Sequence, residues 1–218
     1  RDILQIRRQG RPELYDLRSR RPPSLIQRSH ILEAEERIGS DGKILTPLSS
    51  KTMNEIISRL KTMEVDTIVV GFLNAYVNPD HEQLLGKQLR EALPNMSICL
   101  THEISPSQGE FERFSTTVLN GYVQPIVTRY LGCLKETLRD KGITSPLFVM
   151  KSNGGVAAAN IVSRRSVEML LSGPAGGVVA GITLARRHTN RNIITADMGG
   201  TSFDVSMVTD GEGVFTQE

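Results

Sequence analysis

Apolar positions along this chain switch between a period of two and a period near 3.6. Residues 31–48 read as a short strand, a turn at Ser40-Asp41-Gly42-Lys43 and a return strand ending at Leu48. Asp-Gly between apolar flanks predicts a hairpin. Ser49 or Ser50 is placed to cap a helix, which Met53, Ile56, Ile57 and Leu60 carry to about Met63 on one apolar face. Val65 to Phe72 reads as a buried strand, and Asn78-Pro79-Asp80 marks a turn. A second helix is predicted from about His81 to Leu93, with Leu84, Leu85 and Leu89 inward and Pro94 as its stop. Met96 to Thr101 is a further short strand. Such alternation of strand and helix predicts an α/β fold, with helices packed on a parallel or mixed sheet.

In the second half, Ser105-Pro106 opens a long helical stretch. Leu119, Val123, Ile126, Val127, Tyr130, Leu131, Leu134 and Leu138 keep near-helical spacing. Pro125 is expected to break or kink it, and Gly142 to end it. Pro146 to Met150 reads as a strand, followed by a turn at Ser152-Asn153-Gly154-Gly155. In open α/β sheets, ligands bind at such strand C-terminal ends. Asn153, Gly154 and Gly155 are therefore candidate substrate contacts. Gly173 to Arg187 predicts a helix of small residues with Pro174 in its first turn. Each interior glycine costs about 1 kcal/mol against alanine, so another backbone or a ligand is expected to approach that helix closely.

Residues 193–208 carry the densest chemistry: Ile-Ile-Thr-Ala-Asp-Met-Gly-Gly-Thr-Ser-Phe-Asp-Val-Ser-Met-Val. The pattern predicts strand, tight turn, strand, with Asp197 and Asp204 at the shoulders. Gly199 and Gly200 are free to take positive φ and have no side chain to repel an anion. Their N–H groups suit a nest for phosphate oxygens, and Thr201 and Ser202 add hydroxyl donors. Asp197 is positioned to hold a hydrated divalent cation. The segment is neither a Walker A loop nor a Rossmann fingerprint, since no Gly-Lys-[Ser/Thr] follows and the glycines lead into a strand.

Composition narrows the setting. The 218 residues suffice for one large domain or two small ones. A net charge of +2 gives no global drive toward nucleic acid or an anionic membrane. Cys99 and Cys133 lack paired spacing, which suits a reducing, cytoplasmic interior. No apolar run reaches membrane-spanning length. The arginines of residues 1–30 (1, 7, 8, 11, 18, 20, 21 and 28), interrupted by Pro12, Pro22 and Pro23, come without lysines or an aromatic ladder. A surface-running strand and loop explains them better than a nucleic-acid arm. Glu110, Glu112 and Arg113 form a charged cluster, read either as a substrate contact or as a solvated helix turn. His81-Glu82 is a poor metal pair, because adjacent residues do not share a helix face. His188 suits a structural role at a helix C-terminus.

The motifs Ser172-Gly173-Pro174-Ala175-Gly176-Gly177 and Asp197-Met198-Gly199-Gly200-Thr201-Ser202-Phe203-Asp204-Val205 resemble those of the hydantoinase A/5-oxoprolinase family. Phe72 to Glu82, Glu110 to Thr117, Asn120 to Pro125 and Ser152 to Gly155 agree in the same order. The resemblance implies an actin-like ATPase (ribonuclease H-like) fold, present as most of a first lobe plus the start of a second. By it, residues 1–171 are first-lobe α/β structure with insertions, 172–190 a connecting helix, and 191–218 the start of the second lobe. The chain then reads as an internal fragment, inactive alone. The family's first phosphate clamp is expected before Arg1, and its adenosine-binding region after Glu218.

The resemblance also implies chemistry. Family members couple ATP hydrolysis to opening of a cyclic amide such as a hydantoin or 5-oxoproline, and relatives carboxylate ketones. A ketone carboxylase subunit and a non-catalytic actin-like nucleotide-binding module are the alternatives. The implied cofactors are ATP and Mg²⁺. Gly199, Gly200 and Thr201 would hold the β- and γ-phosphates, and Ser202 would donate to a phosphate oxygen. Asp197 would orient Mg²⁺ through water or orient the attacking group. Asp204 would be a second polar anchor or a strand residue fixing the loop. The implied partners are a small cyclic amide and a hydantoinase B-type subunit or fused domain, within an oligomer and with neither nucleic acid nor membrane.

Overall fold

A computed structural model of the chain describes residues 2–8, 15–16, 18, 23–189 and 191–213. Much of the proline-interrupted arginine segment, including Arg11, Arg20 and Arg21, lies outside the described residues, as do residues 214–218. The chain divides into two compact units, Arg1–Pro125 and Ile126–Glu218.

In the first unit, a short helix α1 (Ile3–Ile6) precedes the β1–β2 hairpin (Arg37–Ile38 and Ile44–Thr46). Gly42 closes that hairpin at φ 81°, and Asp41 accepts the Lys43 N–H. Helix α2 (Ser50–Leu60) begins at Ser49, whose hydroxyl accepts the Thr52 N–H and satisfies one free donor of the first turn. Strand β3 (Thr67–Val70) runs parallel to β4 (Ser97–Leu100), joined through helix α3 (Asp80–Ala92). Alternation assigns the faces of β3. Ile68 and Val70 enter the core that α2 and α3 build from Met53, Ile56, Ile57, Leu60, Leu85 and Leu89. Thr67 and Val69 meet Gly121 of α5 (Glu110–Asp140) on the opposite face. A methyl group at Gly121 would sit 3.0 Å from both, so this glycine sets how closely α5 approaches the strand. Leu84, expected inward, is instead largely exposed, because the α3 stripe is centred on Leu85 and Leu89.

Two helix boundaries differ from the sequence expectation. The stretch expected to start at Ser105 is split into α4 (Thr101–Ile104) and α5, with Gly109 at φ 106° between them. Pro125 does not break α5, which runs unbroken from Glu110 to Asp140. A helical proline clashes with the carbonyl four residues back and leaves it without a donor. Here that carbonyl is Gly121's. Gly142 ends the helix at φ 77°, donating to the Arg139 carbonyl, while the Ile143 N–H reaches the Leu138 carbonyl.

The second unit holds the β5–β6 hairpin (Phe148–Met150 and Val156–Ala158), helix α6 (Ala159–Val162), helix α7 (Ser172–Arg187), and an antiparallel sheet ordered β7–β8–β9 (Ile193–Met198, Phe203–Thr209 and Glu212–Gly213). The close approach expected of the glycine-rich helix is found at Gly181. A methyl group there would lie 2.5 Å from Thr195 Cγ2, so β7 seats directly on the α7 backbone. His188 follows α7 as an exposed C-cap residue. Among the described residues, no helix is long and apolar enough to cross a membrane.

Candidate functional site

The β7–β8 hairpin brings the expected phosphate-loop residues together. Its register pairs Ile193 with Val208, Thr195 with Ser206, Asp197 with Asp204 and Met198 with Phe203. The turn closes through a 3.0 Å bond from the Gly199 N–H to the Ser202 carbonyl. Residues two apart on a strand share a face, so Thr195, Asp197, Asp204 and Ser206 line the face that meets α7. The Thr195 and Ser206 hydroxyls hydrogen-bond to one another below the carboxylates. Asp197, Asp204 and the whole turn from Gly199 to Ser202 are exposed.

The glycines differ from their expected conformation. Neither Gly199 nor Gly200 takes the positive φ seen at Gly42, Gly109, Gly142, Gly154 and Gly211. The hairpin closes without left-handed backbone, so conformation does not explain the Gly-Gly pair. Packing within the chain does not explain it either: a methyl group at Gly200 would meet nothing within 4 Å, and one at Gly199 only the Ser202 carbonyl at 3.9 Å. Gly173 and Gly177 in the first turns of α7 are equally open. Arg186, near the α7 C-terminus, donates to the Gly211 carbonyl at the end of the sheet away from the turn, so α7 runs with its N-terminus toward the turn end of β7. Leu171, the N-cap residue, is left-handed at φ 61° and exposed. The first N–H groups of α7 gain no side-chain cap there.

Asn153, Gly154 and Gly155 form a tight turn elsewhere. Gly154 is at φ 79°, the Asn153 carboxamide oxygen accepts the Gly155 N–H at 3.0 Å, and the Lys151 N–H donates to the Gly155 carbonyl at 2.7 Å. Glu168 anchors the turn: its side chain meets Lys151 at 2.9 Å and its carbonyl accepts the Ser152 N–H at 2.7 Å. The turn packs on Val179 of α7. Val179 and Gly181 are two residues apart, about 200° around the helix. The Asn153 turn and the β7–β8 hairpin thus contact opposite faces of α7.

The charged cluster at the start of α5 divides: Glu112 pairs with exposed Arg8 at the surface, as a solvated turn would, whereas Glu110 is partly buried and Arg113 turns inward. Arg113 is fully buried. Its guanidinium donates to the carbonyls of Ser107 and Phe72, to Thr101 and to Glu110, and stands 5.3 Å from the Tyr76 ring centre and 5.4 Å from that of Phe114. Glu82, also fully buried, accepts from the Phe72 N–H, the Thr101 hydroxyl and the His102 N–H, and bonds His102 Nδ1 at 2.7 Å. The adjacent His81 joins a different set, bonding Glu36 at 2.7 Å and meeting the Leu48 N–H. The buried members of these sets are thus held by one another. Burial alone would raise the Glu110 carboxyl; the Asn74 N–H, its own N–H and Arg113 outweigh that and hold it below the usual range.

Sequence reading missed the hydroxyl pair. The signal was present as Thr-x-Asp on β7 answered by Asp-x-Ser on β8, two i, i+2 pairs in one register. It also missed the buried Glu82–Arg113 network, whose members are scattered from Phe72 to Arg113.

Residues 1–93 match the hydantoinase/oxoprolinase N-terminal region, and residues 113–218 match hydantoinase/oxoprolinase. The caprolactamase subunit alpha of Pseudomonas jessenii is 32% identical over 100% of the chain and 32% of its own length. The crystal structure of the ATP-dependent caprolactamase from that organism superposes with a TM-score of 0.82 at 33% identity, over 94% of this chain and 30% of that one. Nucleotide-free acetone carboxylase, described as ATP-dependent, superposes at 0.80 with 26% identity, over 89% of this chain and 28% of that one. The chain spans about a third of these relatives' length, and the α/β fold is shared with both structures.

Proposed function

Since the chain belongs to the hydantoinase/oxoprolinase family, we propose that it forms the phosphate-holding part of an ATP-dependent enzyme that opens a cyclic amide. One observation carries the reading. The Asp197–Asp204 pair, the Thr201 and Ser202 hydroxyls and the open Gly199-Gly200 backbone lie at one hairpin turn, on the side toward which the uncapped α7 N-terminus runs. That turn supplies N–H and O–H donors without side-chain bulk, as a polyphosphate requires. The helix end adds partial positive charge.

The donor set fits Mg²⁺. Two carboxylates are present, and among the described residues no group of three or more His, Cys, Asp or Glu side chains converges. Mg²⁺ favours one or two carboxylates, with water and phosphate filling its other positions. Asp197 would hold it through water, with Asp204 as the second anchor, and the ion would neutralise phosphate charge.

The Gly199 N–H, expected to hold phosphate, instead closes the turn on the Ser202 carbonyl; the Gly200 and Thr201 N–H groups would orient the β- and γ-phosphates, and the Ser202 hydroxyl would donate to a phosphate oxygen. Phosphoryl transfer depends on such positioning and charge neutralisation more than on covalent protein chemistry. The γ-phosphoryl group would pass to the amide oxygen as its bond to ADP breaks. One water would add to the activated carbon, the C–N bond would break to open the ring and leave an acyl phosphate, and a second water would release phosphate and the carboxylate. Asn153, Gly154 and Gly155 stay proposed on the substrate side, now on the far face of α7. We place the enzyme in the cytoplasm with a B-type subunit or fused domain; the free thiols of Cys99 and Cys133 suit that compartment.

A ketone carboxylase is the second reading, favoured by the superposition on acetone carboxylase. The test is phosphate release by the complete enzyme with its B-type component. Stimulation by 5-oxoproline, caprolactam or a hydantoin, lost in Asp197→Asn, supports the first reading. Stimulation only by a ketone with bicarbonate selects the second. No stimulation by either class overturns both.

A further inference from the structure

The face of the β7–β8 sheet that meets α7 changes character rung by rung. Ile193 pairs with Val208, Thr195 with Ser206, and Asp197 with Asp204. Val208 is fully buried, Thr195 and Ser206 are half-buried, and both aspartates are exposed. The hydroxyl rung therefore divides apolar packing from the carboxylates. Its geometry is fixed from one side. The Thr195 methyl is seated on the Gly181 backbone of α7, and a β-branched side chain so held keeps one χ1. In that rotamer the hydroxyl bonds the Ser206 hydroxyl across the strands. Two hydroxyls joined by one hydrogen bond keep one O–H still to give. Among the described residues of this face, the rung below is apolar and Gly181 presents no side chain. The next side-chain acceptors on it are the carboxylates of Asp197 and Asp204.

We propose that the Thr195–Ser206 pair is the outer support of the cation site: its spare O–H donates to a water that Asp197 or Asp204 also holds, and so fixes the carboxylates for the ion. This role rests on reading the aspartate pair as a Mg²⁺ site. Rungs two residues apart stand about 7 Å apart along the strand, a spacing that one water bridges once the side chains reach toward each other. Mg²⁺ keeps several of its waters, so hydroxyls that order water beside the carboxylates act on the ion without touching it. Thr195 and Ser206 are thus positioning residues. A plain cross-strand pair would support the ladder alone, and valine at both positions would fill the same space without half-burying two hydroxyls.

Two substitutions at Thr195 separate these roles. Thr195→Val keeps the methyl on Gly181 and removes the hydroxyl; Thr195→Ser does the reverse. Mn²⁺ alone, titrated into the complete enzyme and followed by the electron paramagnetic resonance of the free ion, reads the affinity. The part of the binding lost in Asp197→Asn belongs to this site. Thr195→Val and Ser206→Ala are expected to weaken that part about tenfold or more, while Thr195→Ser stays within about threefold of the parent. Thermal denaturation should show the opposite order at Thr195, with the serine variant the less stable. Full affinity in Thr195→Val and Ser206→Ala, with Asp197→Asn weakened, overturns this role and leaves the Mg²⁺ reading standing. Equal weakening in Thr195→Val and Thr195→Ser overturns it too, by assigning the effect to packing on Gly181. Unchanged binding in Asp197→Asn overturns the Mg²⁺ reading itself, and this role with it.

Discussion

Asp197 on β7 stands directly opposite Asp204 on β8 in the antiparallel ladder, both on the α7-facing side and both exposed. Like charges placed so are destabilising. The hairpin keeps them although a neutral partner at either position would relieve the repulsion. Under the proposed function, a bound cation would turn that repulsion into shared coordination.

Asp204→Asn is accordingly expected to stabilise the chain by about 0.2–1 kcal/mol in the absence of divalent cation. Urea denaturation measures it. The gain should shrink as salt is raised, because exposed charges are screened. Equal stability of variant and parent at low salt would remove the repulsion argument.

The two kinds of glycine on α7 should part company on substitution. Gly181→Ala puts a methyl group 2.5 Å from Thr195 Cγ2 and should cost about 1–3 kcal/mol through overpacking. Gly177→Ala meets nothing within 4 Å and should stabilise the helix by up to about 1 kcal/mol. If Gly177 is kept open for a ligand, that same variant should weaken nucleotide binding by the complete enzyme, as isothermal titration would measure. A destabilised Gly177→Ala chain would mean that protein already fills the space.

How far the sequence could be read follows from where its signals are local. Ser49 capping α2, the Met53–Leu60 stripe and the Asp41-Gly42 hairpin each depend on a few neighbouring residues, and they form where expected. The Asp197 hairpin was legible for the same reason, since a strict alternation on both sides of Gly-Gly fixes its register. Pro125 misled because one lost N–H bond does not end a helix held by the residues on both sides of it. Arg113 misled because its partners Phe72, Thr101 and Ser107 lie on other segments. A charge beside two glutamates reads as solvated unless the partners that bury it are known. The openness of Gly177 and the tightness at Gly181 were indistinguishable in sequence; only the position of Thr195 separates them.

Arg113 should prove one of the most sensitive positions in the first unit. It holds the Phe72 and Ser107 carbonyls while lying against Tyr76 and Phe114. Arg113→Met leaves those buried acceptors without donors and is expected to cost about 3–5 kcal/mol. Arg113→Lys should not restore it, because a compact ammonium does not span partners that a planar fork reaches together. Thermal denaturation of both variants decides this. A lysine variant as stable as the parent would reduce Arg113 to a simple counter-charge for Glu110.

Glu110 sets a pH dependence of definite sign. Its carboxyl, held below the ordinary glutamate value of 4.5 by the Asn74 N–H, its own N–H and Arg113 against the opposing effect of burial, is bound more tightly as carboxylate in the folded state. A depressed folded value means that the unfolded chain takes up the proton first. The contribution is therefore complete at neutral pH, begins to fall as pH drops toward the ordinary value, and is gone once pH passes below the folded one. The side chain is partly exposed, so screening limits the effect to about 1 kcal/mol or less. Glu110→Gln should lower stability at neutral pH and flatten part of its decline under acid, as urea denaturation between roughly pH 3 and 7 would resolve. A variant with the parent's full acid slope would assign that decline to other carboxylates and leave the Asn74–Glu110–Arg113 contact without a measurable share in stability.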